Sequence, residues 1–140
     1  MNNQPSSAFV AASWFALAAG VVAFLLGLWN SGLPLNEQGF FFTVLMYGLF
    51  SAVTVQKSVR DKAEGVPVTT MFYGISWFSA ILAILLLCVG VFNAKLELSE
   101  KGFYIMAFML GLFGAITVQK NARDLQQHDQ PDVVNENLNP

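Results

Sequence analysis

Four long stretches of this chain contain no Asp, Glu, Lys, Arg or His: Ala8–Trp29, Gly39–Val55, Met71–Phe92 and Gly102–Val118. Nothing else constrains the fold as strongly. A helix rises about 1.5 Å per residue, so roughly 20 residues cross a hydrocarbon core about 30 Å thick. The first and third stretches are long enough with some tilt. The second and fourth are shorter and need help at one end. Barrel strands alternate polar and apolar residues, and these runs do not, so helices are expected. Only 11% of the 140 residues are charged and 55% are hydrophobic, against about 25% charged in a soluble domain. Too few polar groups exist to cover a surface facing water. The expectation is an all-α membrane protein with four transmembrane helices.

The second half repeats the first without a gap, at a shift of 63 residues. Ser76-Trp77-Phe78 falls on Ser13-Trp14-Phe15, Gly90 on Gly27, Asn93 on Asn30, Glu100 on Glu37 and Gly102-Phe103 on Gly39-Phe40. Gly111-Leu112-Phe113 falls on Gly48-Leu49-Phe50, Thr117-Val118-Gln119-Lys120 on Thr54-Val55-Gln56-Lys57, and Arg123-Asp124 on Arg60-Asp61. Such agreement does not arise by chance. Each copy holds two spans, which return the chain to its starting side. The copies therefore share one orientation, related by an axis along the membrane normal rather than inverted. The expected division is a polar N-terminus at 1–7, a two-helix repeat at 8–61 and a cytoplasmic loop at 62–70. A second two-helix repeat at 71–124 and a disordered polar tail at 125–140 follow, the tail carrying a lone exposed His128. The N-terminus has no Lys or Arg and its apolar run is too long for a cleaved signal, so the first span is expected to be retained.

Basic residues favour the cytoplasmic side. Lys57, Arg60 and Lys62 lie between spans two and three, and Lys120 and Arg123 follow span four. Lys95 and Lys101 share the loop between spans three and four with Glu97 and Glu100, and the loop between spans one and two has no basic residue. Both termini and the middle loop are expected in the cytoplasm.

The candidate interface cluster is thus duplicated: Lys57, Arg60 and Asp61, then Lys120, Arg123 and Asp124. A Lys at the centre of a span costs roughly 2.5–3.5 kcal/mol. At a helix end its stem lies along the acyl chains and its ammonium sits among headgroups. There the inner leaflet's negative surface adds about 1 kcal/mol per basic residue, and the helix dipole favours a cation. Lys57 with Asp61, and Gln56 with Arg60, are four apart and can meet on one helix face. Gly65 is the expected C-cap, and Pro67 would stop regrowth. The plain role is an anchor and orientation signal. The functional alternative is a site for lipid headgroups or a partner, and Asp61 and Asp124 argue against a purely anion-binding one.

Gly48, Ser51, Ala52 and Val55 follow the 0, 3, 4, 7 spacing of one helix face, and Gly111, Gly114, Ala115 and Val118 repeat it. Small residues so spaced let helices approach closely in lipid. At 100° per residue, Lys57 and Asp61 project to roughly the opposite side, towards lipid and headgroups. Span one has its own small ridge at Ala8, Ala12, Ala16 and Gly20, with Ala19, Ala23 and Gly27 beside it; the matching positions of span three are bulkier. Spans two and four are therefore expected at a pseudo-symmetric centre, with one and three packing differently. Trp14 and Trp77 suit bulky packing or a seat below the headgroups. Ser13 and Ser76 are expected to bond to a carbonyl in the preceding turn. Asn30 and Asn93 have the positions of helix C-caps. Cys88, inside an apolar run, is expected to be a buried, inert thiol.

The pattern Gly-Leu-Phe-x-Ala-x-Thr-Val-Gln-Lys-x-x-Arg-Asp occurs twice in this setting. Each copy lies behind a Ser-Trp-Phe span and a short loop ending Glu-x-Gly-Phe. Over residues 8–124 this resembles the YiaA/YiaB two-helix-domain family of bacterial inner-membrane proteins, in particular members with two copies of the unit. The resemblance implies a multi-pass bacterial inner-membrane protein and brings no catalytic residues.

The residues themselves offer no Cys–His, Ser–His–Asp or metal-binding arrangement. No enzyme activity, cofactor or metal is expected, and net charge −2 offers no surface for nucleic acid. The expected partners are membrane lipids and, beyond them, a second copy or another membrane protein. The leading expectation is a structural, adaptor or envelope-associated component. The alternative is a small four-helix transporter or channel, its conduit lined by Ser51, Thr54, Gln56, Thr117 and Gln119. The spans hold no carboxylate for proton coupling.

Overall fold

A computed structural model describes residues 4–129. Four helices fill it: α1 Ser7–Trp29, α2 Leu35–Ala63, α3 Thr70–Asn93 and α4 Leu98–Asp129. All four are long and apolar enough to cross a membrane. The repeat is visible at the helix starts. Ser6 Oγ accepts from the Phe9 amide at 3.2 Å, and Thr69 Oγ1, 63 residues on, accepts from the Phe72 amide at 3.1 Å. Each cap satisfies one of the amides a helix start leaves unpaired. Glu37 and Glu100 occupy the first turns of α2 and α4, where the dipole favours an anion.

The end of α2 is equally determined. Gly65 has φ 78°, a left-handed conformation that only glycine adopts cheaply. Its amide donates to the Lys62 carbonyl at 3.3 Å, and the Val66 amide donates to the Asp61 carbonyl at 2.8 Å. This paired closure is a Schellman motif, with Pro67 just beyond it. Ser13 Oγ donates to the Phe9 carbonyl at 2.8 Å and Ser76 Oγ to the Phe72 carbonyl at 2.7 Å. Asn30 is the C-cap of α1. Asn93 is the last residue of α3, one place inside its cap, and both amides reach back to a carbonyl four residues earlier.

The helices pair across the repeats. The principal partner of α1 is α4 and that of α3 is α2, while α2 and α4 meet between them. The two helices within each repeat, α1 with α2 and α3 with α4, touch only lightly. The two repeats therefore share one orientation about a pseudo-two-fold that runs between α2 and α4, with α1 and α3 at the outer corners.

The α1–α4 crossing is backbone on backbone. A Cβ added at Gly20 would stand 2.7 Å from Gly111 Cα and 2.8 Å from the Ala107 carbonyl oxygen; one at Gly114 would stand 2.6 Å from Leu17 Cα. The equivalent α2–α3 positions are Ala83, Gly48 and Ser51, and there Gly48 is roofed instead by the Phe108 and Leu112 side chains of α4. The bulkier span three thus gives the looser crossing. Between the helices lie Phe24, Phe41, Tyr104 and Phe108: Phe24 meets Tyr104 edge-on at 5.4 Å, and Phe41 stacks on Tyr104 at 6.0 Å.

Large apolar side chains cover the outside, among them Phe15, Trp29, Phe50, Phe78, Phe92 and Phe113. In water such a surface would aggregate; in a bilayer it is the solvent-matched face. Trp14 and Trp77 are on it, turned outward rather than packed between helices. Cys88 corrects its expectation: it is exposed on the outer side of α3. Apolar neighbours in the sequence do not distinguish a core position from a lipid-facing one. His128 lies in the last turn of α4 rather than in a disordered tail, since the helix runs on to Asp129. Residues 1–3 and the tail from 130 lie outside the described residues.

Candidate functional site

Beyond Val55 and Val118 the sequences turn polar, yet α2 and α4 continue for two further turns or more. Their extensions run side by side and bring all six candidate cluster residues together. Within each helix the four-residue spacing closes an ion pair: Lys57 Nζ is 2.7 Å from Asp61 Oδ2, and Lys120 Nζ is 2.9 Å from Asp124 Oδ2. Between helices the pairing is reciprocal: Arg60 bonds to Asp124 and Arg123 bonds to Asp61. Glu64 joins both, taking Arg60 within its own helix and Arg123 across the axis at 2.9 Å. The carboxamide oxygen of Gln127 accepts from Arg60 at 3.3 Å.

Burial divides the cluster into two layers. The Asp61 and Asp124 side chains are 7% and 11% exposed, while those of Lys57 and Lys120 are 53% and 48% exposed. The aspartates form the inner layer, the arginines bridge it, and the lysine ammonium groups face outward. The hydrogen bond from Lys57, joined by Arg123, holds the Asp61 carboxyl below the usual carboxylate range against the opposing effect of burial. Burial alone would raise Asp124, but bonds from Lys120 and Arg60 outweigh it and hold it low. Glu64 is lowered by Arg60, and the Arg60 guanidinium is held firmly charged by Asp124 and Glu64. Four cations and three carboxylates thus form one neutralising clasp at the end of the bundle.

This placement corrects two expectations. Asp61 does not face lipid opposite the small-residue stripe. α2 is flanked by α3 on one side and α4 on the other, so its buried arc is wider than a single stripe and takes in Ser58 and Asp61. Nor does Gln56 meet Arg60, whose guanidinium is taken by Glu64 and Asp124. Of the stripe itself, Gly48, Ser51, Ala52, Gly111, Gly114 and Ala115 are buried, and Val55 and Val118 are half-buried.

The contacts of four residues escaped the sequence reading. Glu64 and Gln127 are themselves 63 residues apart, so carrying the repeat three positions further would have found them. Lys62 Nζ lies 4.5 Å above the Tyr73 ring, a cation–π contact across the loop. Asn121, where the first copy has Ser58, donates from Nδ2 to Ser13 Oγ at 3.0 Å and so joins α4 to α1; its Oδ1 has no donor among the described residues.

The hydroxyls expected along a conduit are turned onto their own helices. Ser51 Oγ donates to the Gly48 carbonyl at 2.9 Å, Thr54 Oγ1 to the Phe50 carbonyl at 2.7 Å, and Thr117 Oγ1 to the Phe113 carbonyl. Among the described residues, no group of three or more His, Cys, Asp or Glu side chains is placed to hold a metal ion.

The yiaA/B two helix domain matches the chain twice, at residues 9–61 and 72–124. Inner membrane protein YiaA of Escherichia coli (strain K12) is 56% identical over 119 residues, which are 85% of this chain and 82% of that protein. Inner membrane protein YiaB of the same organism is 32% identical over 103 residues, 74% of this chain and 88% of the relative. Uncharacterized membrane protein YubF of Bacillus subtilis (strain 168) is 40% identical over 58 residues, 41% of this chain and 67% of the relative. No solved structure matches the chain.

Proposed function

The chain belongs to the YiaA/YiaB two-helix-domain family of inner-membrane proteins, and from that premise we propose that it acts without catalysis, as a structural or adaptor component of the envelope. Its contacts in this reading are lipid and another membrane protein. The observation that carries the reading is how the polar groups are spent. The arginines and aspartates neutralise one another, and Ser51, Thr54 and Thr117 bond to their own backbones. What remains outward is an apolar belt with Lys57 and Lys120 at one end, a surface suited to lipid and to other spanning helices.

In the same reading the clasp end is cytoplasmic, because it gathers five of the seven Lys and Arg residues. A Lys62→Cys variant in a Cys88→Ala background should react with a membrane-impermeant maleimide only after the membrane is opened. Reaction from the periplasm refutes the orientation. For the role itself, the chain is purified from native membranes with its lipids and proteins identified, and is separately reconstituted for flux. A reproducible stoichiometric partner supports the adaptor reading. Solute movement through liposomes that stops on Thr54→Leu replaces it with transport.

A further inference from the structure

At the end opposite the clasp, two clefts of about 300 and 290 Å³ open where each helix pair begins and ends. One lies between the start of α2 and the end of α3, the other between the start of α4 and the end of α1. They are pseudo-equivalent at every lining position: the 63-residue shift converts one lining into the other. Several of these residues are identical in both copies. Gly90 and Gly27 floor the clefts, Phe40 and Phe103 wall them, and both hold a carboxylate, Glu37 or Glu100, and a carboxamide, Asn93 or Asn30; Asn36 of one cleft is Ser99 in the other, and Ala94 is Ser31. This identity stands out because the middle parts of α1 and α3 differ at most positions.

The geometry explains why glycine is kept. A Cβ at Gly90 would lie 2.5 Å from the Phe40 ring, and one at Gly27 would lie 2.9 Å from the Phe103 ring. Each ring therefore has an edge set close against bare backbone, where a larger residue would not fit. The polar groups common to both clefts present acceptors. Asn93 and Asn30 commit their Nδ2 atoms to the Val89 and Leu26 carbonyls, which leaves Oδ1 as the free end. Glu37 and Glu100 form no ion pair among the described residues, although Lys101 is next to Glu100 in sequence. The Lys101 ammonium instead donates to the Phe92 carbonyl at 3.2 Å and lies over the Phe92 ring.

We infer that these are two binding sites for a primary ammonium, the headgroup of phosphatidylethanolamine. A carboxylate and a carboxamide oxygen accept hydrogen bonds that a primary ammonium donates and a quaternary one lacks. The aromatic wall adds a cation–π face. The wall is continuous with the lipid-facing surface of the helices, so a headgroup can enter while its acyl chains stay in the bilayer. The inference needs only that the chain is embedded, and it stands or falls apart from the adaptor reading of the clasp end.

The test counts lipids. The full chain is released from vesicles of phosphatidylethanolamine, or of phosphatidylcholine, and measured by native mass spectrometry. Two retained phosphatidylethanolamine molecules per chain are expected and no retained phosphatidylcholine. Glu37→Gln and Glu100→Gln should each lower the number to one, and the double variant to none. Equal retention of both lipids overturns the inference, as does full retention by a double variant that still elutes as a folded bundle. A third arm offers ethanolamine alone to lipid-free protein in detergent. Saturable binding there that Glu37→Gln and Glu100→Gln abolish, without lipid selectivity, overturns the lipid assignment in favour of a soluble amine.

Discussion

Replacing Gly20 by alanine tests the backbone contact between α1 and α4. The new methyl group would stand 2.7 Å from Gly111 Cα and 2.8 Å from the Ala107 carbonyl oxygen. Neither atom can rotate away, because both belong to the main chain of α4. Ordinary contact begins near 3.4 Å and the Gly111 amide nitrogen would be nearer still than its Cα, so the helices must separate locally by about 1 Å, and every pair of atoms along the crossing loses part of its attraction. Overpacking of this kind costs about 1–3 kcal/mol, more than the roughly 0.8–1.0 kcal/mol that alanine gains over glycine in a helix. Gly39, Gly74 and Gly102 supply internal controls, since a Cβ there meets nothing within 4 Å. Thermal or detergent-induced unfolding of the purified chain should therefore fall by several degrees for Gly20→Ala and Gly114→Ala. It should stay level or rise for the three control substitutions. Gly48→Ala should lie between, because its obstacle is the Phe108 ring and not a backbone. If Gly20→Ala matches Gly102→Ala in stability, the crossing is not as tight as described and the order of helix packing must be redrawn.

Asp61→Asn and Arg123→Gln should each cost about 1.5–3 kcal/mol, the range for hydrogen bonds to charged groups. A double-mutant cycle on unfolding should show coupling of at least about 0.5 kcal/mol. Additive losses would mean that the two repeats are not joined there. Asp61 and Asp124 are held below their ordinary values, so the clasp's contribution is complete at neutral pH. It should disappear as pH falls below about 4, the unfolded aspartate value. Melting temperature should thus be flat from pH 7 to about 5 and then drop, and Asp61→Asn with Asp124→Asn should flatten the drop; a fall centred near pH 6.5 would indicate some other group. Lys57→Ala with Lys120→Ala should lower melting in detergent, where the ion pairs to Asp61 and Asp124 are lost, and should lower accumulation in the membrane further. The headgroup attraction, about 1 kcal/mol per lysine, exists only beside lipid.

The spans, the duplication and the small-residue faces could all be read along the chain, because each depends on spacing within one helix. Who faces whom could not, and for that reason the sequence shows two separate clusters where the fold has one clasp. The lysine–aspartate pairs are four residues apart and therefore legible; the arginine–aspartate pairs join residues 64 and 62 apart and depend on the packing of α2 against α4. The duplication did hold a clue. A two-fold axis along the helices sets equivalent positions opposite each other, so an Arg-Asp dipeptide on both strands of the pair can bond reciprocally. Cys88 shows the limit from the other side. Its sequence context is as apolar as that of Leu87, yet Leu87 is buried and Cys88 faces outward. In a bilayer both surroundings are greasy, and hydropathy alone cannot order them.

Cross-pairing of the helices also dictates a schedule for biogenesis. α1 is synthesised before its main companion, α4, and the α1–α2 hairpin has almost no internal grip. Until α4 arrives, α1 can be held only by the surrounding bilayer or by an escort, with Gly20 laid bare to acyl chains. Assembly therefore cannot proceed hairpin by hairpin, and a polypeptide stalled after its third crossing would present quality-control proteases with an unmatched helix.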